Sequence, residues 1–162
     1  MIIRGYQRGD LYRLDAQDAQ VLDLPQVSEE MFVLGGAICA EEGDEVLGIG
    51  GVIPLWEDRG LAYLLLSRNA GRRLVRLFRV FELVIDTAPQ KRIEAYIRAG
   101  FTEGERLAKM LGFEREACLR SFFPSGDDGV IYAKGYRDWE TDRKSTRLNS
   151  SHSAKSRMPS SA

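Results

Sequence analysis

The chain has 162 residues, 44% of them hydrophobic and 29% charged, with a formal net charge of −1. That length supports one domain with a core and is short for two ordinary ones. No apolar run approaches the length of a membrane span. Residues 1–6 lack the basic start and long apolar core of a signal peptide, so the expected location is the cytoplasm.

Residues 1–8 read as a first strand, with Ile2, Ile3 and Tyr6 as its apolar content. A helix is expected from Gly9 and Asp10, with Asp10 as its N-cap and Leu11, Leu14 and Asp18 along one side. Pro25 stops any helix from running through residues 21–25, and a short helix follows from Ser28, with Glu29 and Glu30 in its first turn. Residues 34–41 and 46–55 then read as an antiparallel hairpin about Glu42, Gly43 and Asp44. The second strand of that hairpin holds Gly48, Gly50 and Gly51. Glycines at this density fit a bulge or a backbone that something approaches closely, or else tight packing of a helix on the strand.

Residues 61–66 are apolar on both faces, which marks a central strand. After a turn over residues 67–73, apolar residues at 74, 77, 78, 81, 84 and 85 form a helical stripe, with Arg72, Arg76 and Arg79 opposite. Residues 91–98 make the next strand. Thr102 and Glu105 have capping-box spacing, and Gly112 supplies a left-handed stop after Leu107, Ala108 and Leu111. Two strands close the series, at 114–122 and 130–136, joined by a Pro-, Gly- and Asp-rich loop. The order β-α-(α)-β-β-β-α-β-α-β-β describes a mixed, mostly antiparallel α+β sheet flanked by helices on both faces.

The composition changes at Asp142. Residues 142–162 are rich in Ser and basic side chains and have no periodicity, so a single domain is expected over 1–141 and disorder over 142–162. Residues 142–152 and 156–162 also resemble the translated read-through of a common sequencing adapter. Without this tail the chain has 18 Lys and Arg against 23 Asp and Glu, a net charge of −5. Nucleic acid is then a poor partner. His152, the single histidine, goes with the tail, and His-based acid–base chemistry goes with it. Cys39 and Cys118 are far apart with no Cys-x-x-Cys, which argues against zinc and for two buried free thiols. No metal site is expected.

The element order, with Leu111, Gly112 and Phe113 closing the last helix before a strand pair, resembles the GNAT acyl-CoA N-acyltransferase fold. Residues 50–56, 64–68 and 98–113 further resemble GNAT-like proteins of tailed bacteriophages, similar to the small internal virion protein of short-tailed phages. The first resemblance implies acetyl-CoA as cofactor and a small amine or protein amine as acceptor. The second implies other virion proteins as partners, in the host cytoplasm or the virion, with no catalysis.

In the GNAT family the turn after the fourth strand binds the cofactor's pyrophosphate through Gln or Arg, two residues, Gly, one residue, then a small residue. Arg68, Asn69, Ala70 and Gly71 match the first half of that pattern. Leu66, Arg72 and Arg73 complete the expected cofactor-binding set, although Arg73 stands where a small residue is usual. Four arginines, 68, 72, 73 and 76, crowd a helix N-terminus, where the helix dipole disfavours cations. They suit either a bound anion or a solvated face with acidic neighbours. The family's usual Tyr acid is replaced by Ala108, its usual Asn by Phe101, and the expected Glu base on the fourth strand falls in Leu61, Ala62 and Tyr63. Tyr63 and Tyr96 can supply hydroxyls but read more readily as core or rim aromatics. The catalytic residues are therefore left unassigned.

Overall fold

The computed structural model describes residues 1–21 and 28–135. Pro25, Tyr136 and the whole expected tail lie outside these residues. Seven strands form one sheet in the order β1-β2-β3-β4-β5-β7-β6. They are β1 Ile2–Gly5, β2 Ile38–Glu42, β3 Glu45–Trp56, β4 Arg59–Leu66, β5 Arg92–Arg98, β6 Glu114–Leu119 and β7 Gly129–Gly135. The helices are α1 Asp10–Arg13, α2 Asp18–Val21, α3 Glu29–Leu34, α4 Leu74–Thr87 and α5 Thr102–Met110. Every neighbouring pair is antiparallel except β4 and β5, which α4 connects as a crossover. The apolar run over 61–66 does lie in the central strand.

Side-chain alternation sends successive strand residues to opposite faces. Cys39 and Leu65 pack with Leu11, Leu14 and Phe32 on the α1–α3 face. Their sequence neighbours Ala40 and Leu66 pack with Leu77 of α4 on the other. Further along that second face, Ile85 of α4 joins Ala108 and Leu111 of α5 against Val52, Ile93, Val130 and Tyr132. Among the described residues no helix is long and apolar enough to cross a membrane.

Gly50 of β3 is there for the helix, while a Cβ at Gly51 would face Tyr63 and Ala37. A Cβ at Gly50 would stand 2.0 Å from the Phe81 ring of α4 and 2.6 Å from the Tyr63 carbonyl oxygen of β4. At Gly48 the space is easier, with a Cβ 3.3 Å from Leu66 and 3.7 Å from Leu77. The structure shows both features: α4 packs closely on Gly50, and the β2–β3 register shifts beside Gly48, with Leu47 as the extra residue of β3.

Four local expectations change. The single helix from Asp10 is two one-turn helices, because Leu14 is extended and bridges Val46 while Ala16 bridges Ser67. Asp10 is not the N-cap; Gly9 holds that place at φ 98°. The Thr102 capping box does not form either, since Phe101 is the N-cap of α5 and the Glu105 carboxylate instead accepts from the buried Tyr132 hydroxyl at 2.7 Å. Of the two thiols, Cys39 is buried and Cys118 is exposed. Burial pushes the Cys39 thiol up to about 12, so it behaves as a small hydrophobe.

Asp10 is 3% exposed and is held by a guanidinium. Arg4 reaches its two oxygens at 2.7 and 2.8 Å and Glu41 at 2.7 and 3.0 Å. This network ties β1, α1 and β2 together. The Arg4 bonds hold the Asp10 carboxyl down at about 2, from 3.8, against the opposing effect of burial. A carboxylate depressed in the fold contributes stability that is complete above its unfolded pKa and lost as pH falls through the folded one. Arg4→Met is therefore expected to lower unfolding free energy by about 3 kcal/mol at neutral pH and to flatten the stability–pH curve between pH 4 and 2, as read by denaturant titration. Gly50→Ala overpacks the α4 contact and is expected to cost about 2 kcal/mol or more, with part of the loss recovered in Gly50→Ala/Phe81→Leu.

Candidate active site

β4 and β5 pair only at Arg59 with Arg92, Gly60 with Ile93 and Leu61 with Glu94. Each strand is laddered on its other side much further, β4 to β3 as far as Leu66 and β5 to β7 as far as Arg98. The outer ladders fix both strands, so beyond Leu61 and Glu94 their facing edges separate. The separation is a cleft of about 590 Å³, lined by residues 61–66 of β4 and 95–98 of β5. Phe78 of α4, Phe101 at the N-cap of α5, and Leu107 and Ala108 of α5 line it as well, with Gln17 before α2 and Gln20 within it. Ala108 is buried and apolar, and Phe101 is the N-cap that precedes α5.

The turn after β4 leads from this cleft to the start of α4. Its Ser67 is fully buried, and the Ser67 amide donates to Leu47 while its hydroxyl accepts from the Asn69 amide at 3.0 Å. The Arg68 amide donates to Asp15, Ala70 to Ser67 and Arg73 to Ala70. The amides of Gly71 and Arg72 are not among the donors used within the turn. Gly71 has φ 41°, in the left-handed region, and a Cβ placed there would meet nothing within 4 Å. A short 3-10 turn, Gly71–Arg73, runs directly into α4. Two unused amides at a helix N-terminus form a ready anion site.

The seven residues expected to bind a cofactor thus lie together along one strand end and turn, with differing engagements. Leu66 is the last residue of β4. The Arg68 guanidinium bonds the Ala16 carbonyl at 3.0 Å and lies 3.0 and 3.1 Å from Asp15 and Asp18. The Asn69 side chain donates to Glu45, and Ala70 is buried. Arg73 is drawn to Glu42 at the end of β2, away from the small-residue position it was expected to crowd. Arg72 and Arg76 are exposed and have no ion-pair partner among the described residues. The arginine cluster is therefore divided: two members hold acidic neighbours and two are available.

A second polar group lies beside the start of the cleft. Glu94 is 1% exposed, directly across from Leu61. It accepts from Arg59 at 2.5 Å, Arg92 at 2.6 Å and the Tyr96 hydroxyl at 2.9 Å. Burial raises its pKa, but the bonds from Arg59, Arg92 and Tyr96 outweigh it and hold the carboxylate below its ordinary range. Burial and the Glu94 bond push the Tyr96 phenol up. Tyr63 stacks on Phe32 at 5.0 Å, and its hydroxyl finds no partner among the described residues. The acidic pairs in turns are surface groups: Asp58 pairs with Lys91 and Asp127 with Arg98. Among the described residues, one group of metal-binding side chains, Asp10, Cys39 and Glu41, is bridged by the Arg4 guanidinium, a cation already in place.

Two polar groups of this region escaped the sequence reading. Glu94 carried a signal, a lone acid sharing a strand face with Tyr96 between the apolar Ile93, Ala95 and Ile97. Gln20 carried none, since only the folded chain brings it to β4, where its side chain donates to the Leu64 carbonyl and accepts from the Leu66 amide.

No protein-family model matches the sequence, and no curated protein matches it. Solved structures do match. The protein smu.2055 of Streptococcus mutans UA159 aligns with TM-score 0.65 at 18% identity, over 85% of this chain and 100% of that one. A GNAT family acetyltransferase from Elizabethkingia anophelis, with acetyl-CoA bound, aligns with TM-score 0.63 at 14% identity, over 83% and 97%. The aminoglycoside 6'-N-acetyltransferase from Enterococcus faecium aligns with TM-score 0.59 at 18% identity, over 84% and 97%. At these identities the likeness establishes the fold, which is that of the GNAT acetyltransferases.

Proposed function

We propose that the protein is an N-acetyltransferase that moves an acetyl group from acetyl-CoA to an amine. The observation that carries this reading is the parting of β4 from β5 after three pairs, with an anion-ready helix N-terminus at the far end of the cleft. Proteins of the same fold hold acetyl-CoA or coenzyme A, and the residues here suit that group. The open side of Gly71, the unused Gly71 and Arg72 amides and the uncommitted Arg72 and Arg76 fit a pyrophosphate. The apolar cleft walls fit an extended neutral arm.

Acetyl-CoA supplies an activated thioester, from which an amine displaces the thiolate while one proton leaves nitrogen and one is taken by sulfur. The chain's part is mainly positioning, which alone contributes several kcal/mol to such a step. Arg72, Arg76 and the α4 N-terminus neutralise the anionic end. Tyr96 lines the cleft, and its hydroxyl donates to Glu94 and accepts from Arg59, which leaves one oxygen lone pair to accept from an incoming amine. Arg59 and Arg92 keep Glu94 ionised and fix that orientation.

A second reading rests on Ala108 and Phe101, which place apolar groups on the cleft wall where the resemblance leads one to expect polar ones. In that reading the domain over 1–141 is a phage protein that keeps the fold without turnover and acts as an internal virion or assembly component. In both readings residues 142–162 play no part.

Titration calorimetry with acetyl-CoA is expected to show binding, and its absence would sink the enzyme reading. Arg72→Glu/Arg76→Glu is expected to weaken binding at least tenfold, while an unchanged affinity would make both arginines merely solvated. With spermidine and aminoglycosides among the amines assayed, Tyr96→Phe is expected to lower kcat by about tenfold or more with the KM for acetyl-CoA unchanged. Thioester cleavage at the uncatalysed rate with every amine, despite binding, would favour the virion reading.

A further inference from the structure

The edge of β4 that faces the cleft has a partner that is not a strand. Gln20 Nε2 donates to the Leu64 carbonyl at 2.7 Å, and Gln20 Oε1 accepts from the Leu66 amide at 2.9 Å. One amide that serves the carbonyl of one residue and the N–H of the residue two further on reproduces the bonding of a parallel ladder. β5 would supply that ladder had it not parted from β4 at Leu61. A ligand carrying a secondary amide and laid along β4 needs the same two groups, as an added strand does.

The segment that brings Gln20 there is fastened nearby as well. The Gln17 amide donates to the Leu66 carbonyl, Ala16 bridges Ser67, and Arg68 holds Asp15 and Asp18. Asp15, Asp18 and Arg68 are all exposed, and ion pairs of that kind exchange readily. An anion drawn to the turn competes with those carboxylates for Arg68, while the amide arm of the same molecule competes with Gln20 for β4.

We propose that Gln20 is an internal stand-in for a ligand amide, seated on Leu64 and Leu66 in the free protein and displaced when an amide-bearing ligand binds. The proposal rests on the acetyl-CoA reading, since coenzyme A carries two secondary amides between its thiol and its pyrophosphate. Gln20 then sets affinity by opposing it. The full chain and its Gln20→Ala and Gln20→Glu variants test this, with coenzyme A as the probe. Gln20→Glu keeps the length and one acceptor but cannot donate to Leu64.

Removing the competitor is expected to tighten coenzyme A binding about five- to tenfold in Gln20→Ala, in line with two modest hydrogen bonds no longer displaced, and about two- to threefold in Gln20→Glu, which loses one. By hydrogen exchange, the Leu66 amide of free Gln20→Ala is expected to exchange at least tenfold faster than in the unmodified protein, and coenzyme A is expected to restore its protection. Equal or weaker binding by both variants, with the unmodified protein binding normally, overturns the proposal and leaves the acetyl-CoA reading standing. Binding by neither the unmodified protein nor the variants removes both. Binding by the variants alone supports both and identifies Gln20 as a block.

Discussion

Backbone groups withdrawn from water must find partners, and the inner edge of β4 is where this fold leaves that requirement open. β3 secures one side of β4 through Leu66, and β7 secures β5 through Arg98. Neither strand can swing back to meet the other without breaking a longer ladder. The vacated edge is met from outside the sheet by the Gln17 amide, the Gln20 carboxamide and the bridge between Ala16 and Ser67. The short broken helices near the N-terminus follow from this. A continuous helix from Asp10 would carry Ala16 and Gln17 away from β4, so the chain gives up intrahelical bonds to cover the sheet.

The arginines follow a related logic. Half of those in the described residues are matched to acids across strands or turns, as in Arg4 with Asp10 and Glu41, or Arg59 and Arg92 with Glu94. The buried carboxylates sit between guanidiniums because an isolated buried charge is far more costly than a paired one. Arg72 and Arg76 belong to the half with no ion-pair partner among the described residues. They stand at the positive end of α4, where a cation is mildly unfavourable without a counter-charge. Such an arrangement favours an anion beside it.

Much of the fold was readable in the sequence, and for reasons that can be named. The double-sided apolar run over 61–66, the hairpin turn at Gly43, the α4 stripe and the Gly112 stop are local patterns that tertiary contacts reinforce. The readings that changed involve long-range competition. Asp10 has the chemistry of a helix cap, but Arg4 and a buried position claim it. Thr102 and Glu105 have the spacing of a capping box, but Tyr132, from a strand 27 residues on, takes the Glu105 carboxylate. The turn after β4 was legible as a motif, while the engagements of Arg68 with Asp15 and Arg73 with Glu42 were not. Gln20 was invisible because a glutamine in a short polar segment has no periodicity to betray its partner 46 residues away.

The three-pair seam has a mechanical consequence. It divides the sheet into two plates, β1 to β4 and β5 to β7, whose strands are sewn firmly within each plate and barely across the join. What spans the join is α4. Its Leu77 is packed into one plate, Phe81 sits on the Gly50 pleat, and Ile85 is packed among residues of both. The helix works as a spine, and the angle between the plates is set by side-chain volume along one face of it rather than by backbone bonds. A molecule wedged into the seam therefore presses on α4 first, and the width of the opening is a property of Leu77, Phe81 and Ile85 as much as of the strands that border it.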